Sequence, residues 1–352
     1  MPGIIHWFSL VAICKMPMTM SNYRSLGLSI LSLLPLALSS SIRYGCPNAT
    51  SITTLQVVAD TRTLENIAVR SNGDILATSV ASPKLFRLSS QGDHPVIAVA
   101  EISGVTGLLG ITELEKDVFY VLGSNLTSSE DSNGVWRVDM RNFQAARNGT
   151  VVEPSSTSLV TRIPSALQLN GMTRLAPNDT KNLLISDSAR GHVIRLNVDT
   201  ETVDTVIQEP EMAPLATGLD IGVNGIRIRD NKLYFVSLDQ GLFARVPISL
   251  ASGATAGPVQ ILASNITFGD DFTVSEDGEC AYVATNGPQE VIGVDLLHGG
   301  KTVVASSPLL GSASSVAAQE VDGRRVLYVT GATVSGNSTV GHVSKITLHR
   351  KA

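Results

Sequence analysis

The sequence predicts an all-β fold, a six-bladed β-propeller whose ring is closed by an N-terminal strand. Short runs that alternate or are wholly apolar recur along the chain, bounded by Gly, Asn, Asp and Pro, as is typical of strands joined by turns. Such units follow one another about every 40 to 60 residues, the spacing expected of four-stranded propeller blades. The alternative is an all-β sandwich with similar turns. The six units begin at Glu65, Thr106, Leu167, Gly222, Gly269 and Ser314.

The clearest unit runs from Leu167 to Leu196 and contains three short strands. They read L-Q-L-N-G-M-T-R-L, L-L-I-S-D-S and G-H-V-I-R-L, separated by polar turns. Ahead of the first unit, S-I-T-T-L-Q-V-V-A-D at 51–60 has the β-branched composition of a strand. We expect it to pair with K-I-T-L near the C-terminus and so to close the ring. Because no linker divides the chain, residues 41–352 are predicted to be one propeller domain.

The composition excludes some classes of partner. A chain of 352 residues with 43% hydrophobic content is able to bury a large core. The formal net charge is -5 and no run of Lys and Arg is present, which argues against nucleic acid as the partner. The charged content of 16% and the aromatic content of 5% fit a sheet-rich protein.

Residues 1–40 have the form of a leader segment that is removed from the fold. Arg24 precedes a short apolar run, and Ala37-Leu38-Ser39 supplies a cleavage pattern of small residues, as in a secretory signal. A second apolar stretch lies upstream and is explained if translation begins at Met18 or Met20. The alternative is a signal anchor, but each apolar run is short for a membrane span. We therefore expect a protein of the secretory pathway, secreted or vesicular, with no stable membrane span.

Sequons and cysteines agree with this compartment. A glycosylation acceptor must be exposed, and most of the six N-x-T sequons lie in predicted loops. The acceptors are Asn48, Asn125, Asn148, Asn178, Asn265 and Asn337. Once the leader is removed, only Cys46 and Cys280 remain, and an oxidising compartment permits a disulfide between them. Two unpaired thiols are the alternative.

Polar residues stand where most units begin, which is where the innermost strand of a blade meets the central channel. Two carboxylates and two carboxamides from four units would converge there, and such oxygen ligands suit calcium or magnesium. The alternative is that these are ordinary turn residues. The four residues, called the quartet below, are Glu65, Asn170, Asn224 and Asp270. The starts of the units also carry Thr106 in the second unit, Asp271 next to Asp270 in the fifth, and Ser314 with Ser315 in the sixth.

The quartet and the repeat together resemble the senescence marker protein / gluconolactonase family of six-bladed propellers. Its motifs here are E-N-I-A-V, L-N-G-M, V-N-G-I and D-D-F-T-V, which carry the four quartet residues in order. The resemblance implies a bound calcium-like divalent cation, held by the quartet, and hydrolysis of lactones or related esters. The cation would polarise the carbonyl group while a carboxylate manages the proton.

A closer resemblance is to a fungal secreted branch of this family. It rests on the same motifs and on L-Y-F-V-S-L-D-Q-G-L-F-A-R-V-P-I, from Leu233 to Ile248. Some members of that branch resemble the hetero-Diels-Alderases of tropolone sesquiterpenoid biosynthesis. These take a hydroxymethyl tropolone, remove water to give a quinone methide, and join it to a humulene-type olefin. The resemblance implies a small apolar polyketide or terpenoid substrate and no cofactor.

Under this reading the quartet would anchor substrate oxygens or assist dehydration. Asp271 and Ser314 would contact the substrate, and Phe268 and Phe272 would supply apolar wall. A position in the core is the alternative for Phe272. The sequence lacks G-x-S-x-G, H-E-x-x-H and paired C-x-x-C motifs, which argues against serine hydrolases and the usual zinc enzymes. Three hypotheses remain: a pericyclic cyclisation enzyme, a divalent-metal lactonase or esterase, and a non-catalytic binding scaffold.

Overall fold

The structure, a computed structural model, describes residues 45–126 and 132–349. The predicted leader, residues 1–40, lies outside the described residues. Within the described ranges we find no helix of the length and apolarity that a membrane crossing requires. The helical structure described is two single-turn 3-10 helices, Pro210–Met212 and Pro308–Leu310.

The remaining elements are strands. In chain order they are β1 (Ala49–Val58), β2 (Ile67–Val69), β3 (Ile75–Ala77), β4 (Lys84–Leu88), β5 (Ile97–Glu101), β6 (Gly107–Glu115), β7 (Val118–Ser124), β8 (Gly134–Asp139), β9 (Gln144–Ala145), β10 (Val151–Glu153), β11 (Ser156–Arg162), β12 (Leu169–Arg174), β13 (Asn182–Asp187), β14 (His192–Asn197), β15 (Val203–Ile207), β16 (Val223–Arg229), β17 (Lys232–Ser237), β18 (Leu242–Pro247), β19 (Gln260–Ala263), β20 (Gly269–Val274), β21 (Cys280–Thr285), β22 (Glu290–Asp295), β23 (Lys301–Ser306), β24 (Ser315–Val321), β25 (Arg324–Ser335) and β26 (Ser338–Leu348).

Six four-stranded antiparallel sheets form the blades of a propeller. From inner to outer strand they are β2-β3-β4-β5, β6-β7-β8-β11, β12-β13-β14-β15, β16-β17-β18-β19, β20-β21-β22-β23 and β24-β25-β26-β1. Each inner strand contacts the next around the ring, and β24 contacts β2. The predicted six-bladed propeller is thus confirmed. We call the face on which the inner strands begin the mouth face.

The N-terminal strand closes the ring. It pairs antiparallel with the C-terminal strand, so that Ile52 lies opposite Ile346 and Thr53 opposite Lys345. The predicted pairing of residues 51–60 with K-I-T-L is thus confirmed. Because β1 completes the sixth blade, the two ends of the chain meet in one sheet. Their hydrogen bonds occupy an edge of that sheet that would otherwise be unpaired.

The core consists of apolar clusters, several of them shared by neighbouring blades. Leu184 of the third blade and Phe235 of the fourth belong to one such cluster. Phe272 belongs to the next, fully buried and edge-on to Phe243 with 4.9 Å between ring centroids. Burying a phenylalanine contributes roughly 2 to 3 kcal/mol. Phe272 is thus a core residue and not a wall of the central channel, which is the alternative that the sequence left open for it.

Cys46 and Cys280 form a disulfide, with 5.7 Å between their Cα atoms. It joins the segment before β1 to the fifth blade, and both residues are buried in an apolar cluster. Among the six sequon asparagines, Asn125 is half-buried and the other five are exposed, so the surface leaves room for the predicted glycans.

Candidate functional site

Four inner strands carry a β-bulge at the same position, next to the mouth face. The registers of β6, β12, β16 and β20 with their partners each shift at this point. A bulge breaks the strict alternation of a strand and re-aims a side chain, and bulges are common beside active sites. The pairs of residues within the bulges are Leu109-Gly110, Asn170-Gly171, Asn224-Gly225 and Asp270-Asp271.

A shared hydrogen bond identifies the same position in other blades. The backbone N–H of its second residue donates to a hydroxyl of the next strand: Asn66 to Thr78 at 3.0 Å, Gly171 to Ser186 at 2.7 Å, and Ser315 to Thr330 at 3.1 Å. The first residues of the pairs form what we call the upper ring: Glu65, Leu109, Asn170, Asn224, Asp270 and Ser314. The second residues form the lower ring: Asn66, Gly110, Gly171, Gly225, Asp271 and Ser315.

The quartet therefore shares one level of the channel, together with Ser314. The second blade differs from expectation. Thr106 is exposed, and its Oγ1 accepts a hydrogen bond from the backbone N–H of Leu126 at 3.0 Å. The apolar Leu109 takes the upper-ring position instead, because β6 begins at Gly107 and bulges after Leu108.

Asp270 is buried and receives two amide hydrogen bonds. The Nδ2 of Asn224 donates to Oδ1 at 2.8 Å, and the Nδ2 of Asn286 donates to Oδ2 at 3.0 Å. Burial raises the pKa of Asp270 to about 7, the charge of Asp271 adds to this, and the two amides oppose it. The carboxyl group is thus present in both protonation states near neutral pH.

Glu65 is the second buried carboxyl of the upper ring. Burial, and then the charges of Asp270 and Asp271, raise the pKa of Glu65 well above its usual value, while a hydrogen bond with Ser314 opposes the shift. Two carboxyls in one low-dielectric site do not ionise together readily. The pair is therefore able to hold and to donate a proton at neutral pH.

Asp271, in the lower ring, forms hydrogen bonds with residues of three other blades. Its Oδ2 accepts hydrogen bonds from Asn66 Nδ2 at 2.9 Å, Arg227 Nη2 at 2.7 Å and Ser315 Oγ at 2.6 Å. Asn66 lies in the first blade and Asp271 in the fifth, which are not neighbours, so their bond crosses the channel. We call these four residues the floor. Asp271 is 1% exposed and its Oδ2 is occupied by the floor, while its Oδ1 makes no hydrogen bond. Its contact with substrate stays a prediction.

Several buried oxygen acceptors near the axis have no donor. Within the described residues, the Oδ1 atoms of Asn170 and Asn224 make no hydrogen bond. The same holds for the Oδ1 atoms of Asn66 and Asp271. A buried acceptor without a partner costs about 1 to 3 kcal/mol, so the site favours a ligand that brings a donor or a positive charge.

The quartet also fits a hard cation, because such ions prefer carboxylate and carboxamide oxygens. In the described ranges, no three His, Cys, Asp or Glu side chains are grouped so as to hold a metal. A cation at the upper ring would therefore depend on Asn170 and Asn224 as well as on the two carboxyls.

Loops of the mouth face expose large apolar side chains. Six such side chains are each between 37% and 48% exposed, and Phe268 is the aromatic one among them. We call the set the apolar rim: Leu126, Leu167, Leu215, Leu219, Phe268 and Leu309. The site thus combines buried polar and acidic groups in the inner strands with exposed apolar groups in loops of the same face, which suits a ligand with one polar end.

No protein-family model matches the chain. A protein of Phoma sp. named "Putative hetero-Diels-Alderase" is 29% identical over 244 residues, which is 63% of this chain and 68% of the relative. A protein of Sarocladium schorii named "Putative hetero-Diels-Alderase asR5" is 29% identical over 239 residues, which is 62% of this chain and 55% of the relative. The chain thus spans little more than half of that second relative.

The chain is similar to proteins named hetero-Diels-Alderases. The resemblance inferred from the motifs is thereby confirmed. Among solved structures, a luciferin-regenerating enzyme superposes with a TM-score of 0.58 at 14% identity, covering 86% of this chain and 97% of that one. A calcium-binding regucalcin from Agrobacterium tumefaciens gives 0.51 at 14% identity, covering 87% and 96%. At this identity the structures show the fold alone.

Three residues of the site were not found by sequence reasoning: Asn66, Arg227 and Asn286. Asn66 directly follows Glu65, as Ser315 follows Ser314, so the pairing of positions in the repeat was a usable signal. Asn286 follows the second strand of its blade, and Arg227 lies two residues below a lower-ring glycine. Nothing in their sequence context indicates that they reach the acidic residues.

Proposed function

We propose that this protein is a cyclisation enzyme of the hetero-Diels-Alderase type, acting on small apolar substrates of polyketide or terpenoid origin. The observation that carries the proposal is the pair of buried carboxyls, Glu65 and Asp270, on the same face as the apolar rim. The names of the two curated relatives support the same class of reaction.

In the proposed reaction, a hydroxymethyl tropolone binds with its oxygens at the upper ring. A protonated carboxyl of the pair donates its proton to the hydroxymethyl oxygen, the C–O bond breaks, and water leaves. The carboxylate then takes the proton of the ring hydroxyl, which leaves a neutral quinone methide. Because the pKa of Asp270 lies at about 7, both forms of the acid are available at neutral pH.

The quinone methide is a heterodiene that reacts with the olefin of a humulene-type partner. One C–C and one C–O bond form, and no electron is gained or lost. The protein's contribution to this step is to hold the two partners in a reactive pose and to exclude water. Asn224 and Asn286 fix Asp270, Asn170 Oδ1 is free to accept from a substrate hydroxyl, and the rim contacts the polyene.

The test is product formation from hydroxymethyl tropolone and humulene at pH 7, followed by chromatography with mass detection and compared with the uncatalysed mixture. Glu65→Gln and Asp270→Asn should each lower the rate by about 10²- to 10⁴-fold if they serve as general acids. Asp204→Asn, an exposed carboxylate of an outer strand, is the matched control. Variants of the pair that turn over at the wild-type rate would contradict the proposal.

A divalent-metal lactonase or esterase is the second candidate. It is favoured by the unpaired Oδ1 atoms of Asn170 and Asn224, which stand at the same level as two repelling carboxyls. Glu65, Asn170, Asn224 and Asp270 would hold the cation, whose chemistry is to polarise a carbonyl group. Metal analysis of the purified chain and lactone hydrolysis with and without chelator test this candidate. Stoichiometric metal with chelator-sensitive ring opening would replace the first proposal.

A non-catalytic binding scaffold is the conclusion if neither substrate class is converted. The floor, whose hydrogen bond between Asn66 and Asp271 crosses the channel, is the feature that favours it.

We also propose that the protein passes through the secretory pathway and is secreted or vesicular. The exposed sequon asparagines and the disulfide support this. A mobility shift after removal of N-glycans from the native protein is the expected result, and an unglycosylated native chain would argue against it.

A further inference from the structure

A half-exposed aromatic ring stands at the mouth, two residues before Asp270. Phe268 is 43% exposed and is the most exposed aromatic residue in the part of the chain that the structure describes. Its backbone φ of 50° lies in the left-handed region, which costs a non-glycine residue roughly 1 to 2 kcal/mol. A residue that combines strain with apolar exposure beside a site calls for a functional explanation.

Two neighbours hold Phe268 in this conformation. Its carbonyl oxygen accepts a hydrogen bond from the backbone N–H of Asn286 at 2.8 Å. Its ring lies over Gly287, where an added Cβ would stand 2.9 Å from Phe268 Cδ2. Since Gly287 does not have a positive φ, its backbone does not require glycine. The absence of a side chain there makes room for the ring.

Asn286 also links this ring to the acid. The backbone of Asn286 holds Phe268, and its side-chain Nδ2 donates to Asp270 Oδ2 at 3.0 Å. One residue therefore fixes both the backbone that carries the aromatic ring and the carboxyl group. The other members of the apolar rim are leucines, which do not distinguish a planar ring from a puckered one. An aromatic face does, because flat rings stack on it with centroids about 4.5 to 7 Å apart.

We propose that Phe268 is a specificity-determining residue, the stacking platform for a planar, conjugated ring whose oxygens are directed toward Asp270. Asn286 and Gly287 are its positioning residues. This inference deepens the proposed function and rests on it for the identity of the substrate. The selection of a flat, oxygenated ring over a saturated one follows from the geometry of Phe268, Gly287 and Asp270.

Titration calorimetry on the full chain tests the platform with two matched probes. 2-Methoxytropone is planar and does not chelate cations, and 2-methoxycycloheptanone has the same ring size and a similar pair of oxygens but is puckered. We expect the wild-type chain to bind the planar probe about tenfold more tightly. Phe268→Leu and Gly287→Ala should abolish the preference, the second because it displaces the ring. Phe268→Tyr should retain it.

Leu297→Ala is the control for general loss of apolar surface. Leu297 is 63% exposed and lies in the same blade, between β22 and β23, on the face opposite to the mouth. An unchanged preference in both Phe268→Leu and Gly287→Ala would overturn the platform, as would a wild-type chain that does not prefer the planar probe. A planar preference without turnover of the tropolone substrate would refute the proposed reaction and leave the platform standing.

Discussion

The central ring has two unlike halves. In the second, third and fourth blades the lower-ring residue is glycine, and we call these blades the glycine half. In the fifth, sixth and first blades it is Asp271, Ser315 or Asn66, and we call these the carboxylate half. Both halves use the same strand start, so the difference between them lies in the side chains and not in the topology.

The glycine half packs by close approach of backbones. A Cβ at Gly110 would stand 2.4 Å from the carbonyl oxygen of Asn170, and one at Gly171 would stand 2.4 Å from that of Asn224. A Cβ at Gly225 would lie 2.2 Å from Asp271 Oδ1. Asp271 of the carboxylate half thus occupies the space that Gly225 leaves. Glu65 and Asp270 are buried in the carboxylate half, and burial is the main cause of their raised pKa values.

The largest expected effect comes from removing a charge from the carboxylate half. The pKa of Asp270 rises from 3.8 to about 7 on folding, so the folded state binds this proton more tightly. The resulting stability is fully present below about pH 4 and is lost as the pH rises through 7. Asp270→Asn should therefore raise the free energy of unfolding by on the order of 4 kcal/mol at pH 8 and leave it unchanged at pH 4. Urea unfolding between pH 4 and 8 measures this.

Asp139 supplies a control of opposite sign. A hydrogen bond from Arg141 holds the pKa of Asp139 well below its usual value. Its stabilising contribution is present above about pH 4 and is lost only in stronger acid. Asp139→Asn should therefore destabilise the protein equally across the same pH range. An Asp270→Asn variant with the same flat profile would show that Asp270 is ionised throughout.

The blades and the upper ring were predictable because each blade repeats one local pattern. The pairing of residues 51–60 with K-I-T-L was predictable for the same reason, since both segments carry strand composition. The floor was not. Its bonds join residues 205 and 44 positions apart, as between Asn66 or Ser315 and Asp271. The bulges also turn consecutive residues toward the channel, which period-two alternation does not anticipate. For this reason Leu109, and not the predicted Thr106, is the upper-ring residue of the second blade.

Adding one methyl group to a lower-ring glycine should destabilise the packing of the glycine half. In Gly171→Ala the new Cβ meets the Asn224 carbonyl oxygen and lies 3.0 Å from the Cα of Gly225, neither of which is a flexible side chain. We expect a loss of about 3 kcal/mol in the free energy of unfolding. Gly257→Ala is the matched control, because its Cβ would meet only the Pro247 ring at 3.1 Å. Equal stability of the two variants would mean that the blades are free to move apart.

The floor of the carboxylate half is tested by a double-mutant cycle. Asp271→Asn and Arg227→Met should each cost about 2 kcal/mol, since each leaves a charge-assisted hydrogen bond unmade. The double variant should cost clearly less than their sum. The exposed pair Arg195 and Asp204, at a similar 2.7 Å, should couple by less than about 1 kcal/mol in the same cycle. If the two losses in the free energy of unfolding were additive, the ion pair between Asp271 and Arg227 would not stabilise the contact between their blades.

The smallest expected effect concerns the mouth side of the acid. Asn286 donates to Asp270 and so holds the pKa of that carboxyl lower than burial alone would set it. Asn286→Ala should therefore raise the pKa of Asp270 above 7, by an amount corresponding to about 1 kcal/mol. Infrared titration of the carboxyl band, assigned by its loss in Asp270→Asn, measures the shift. An unchanged pKa would mean that this hydrogen bond does not contribute to the proton affinity of Asp270. A raised pKa would mean that a mouth-face loop of the carboxylate half adjusts the proton affinity of the acid.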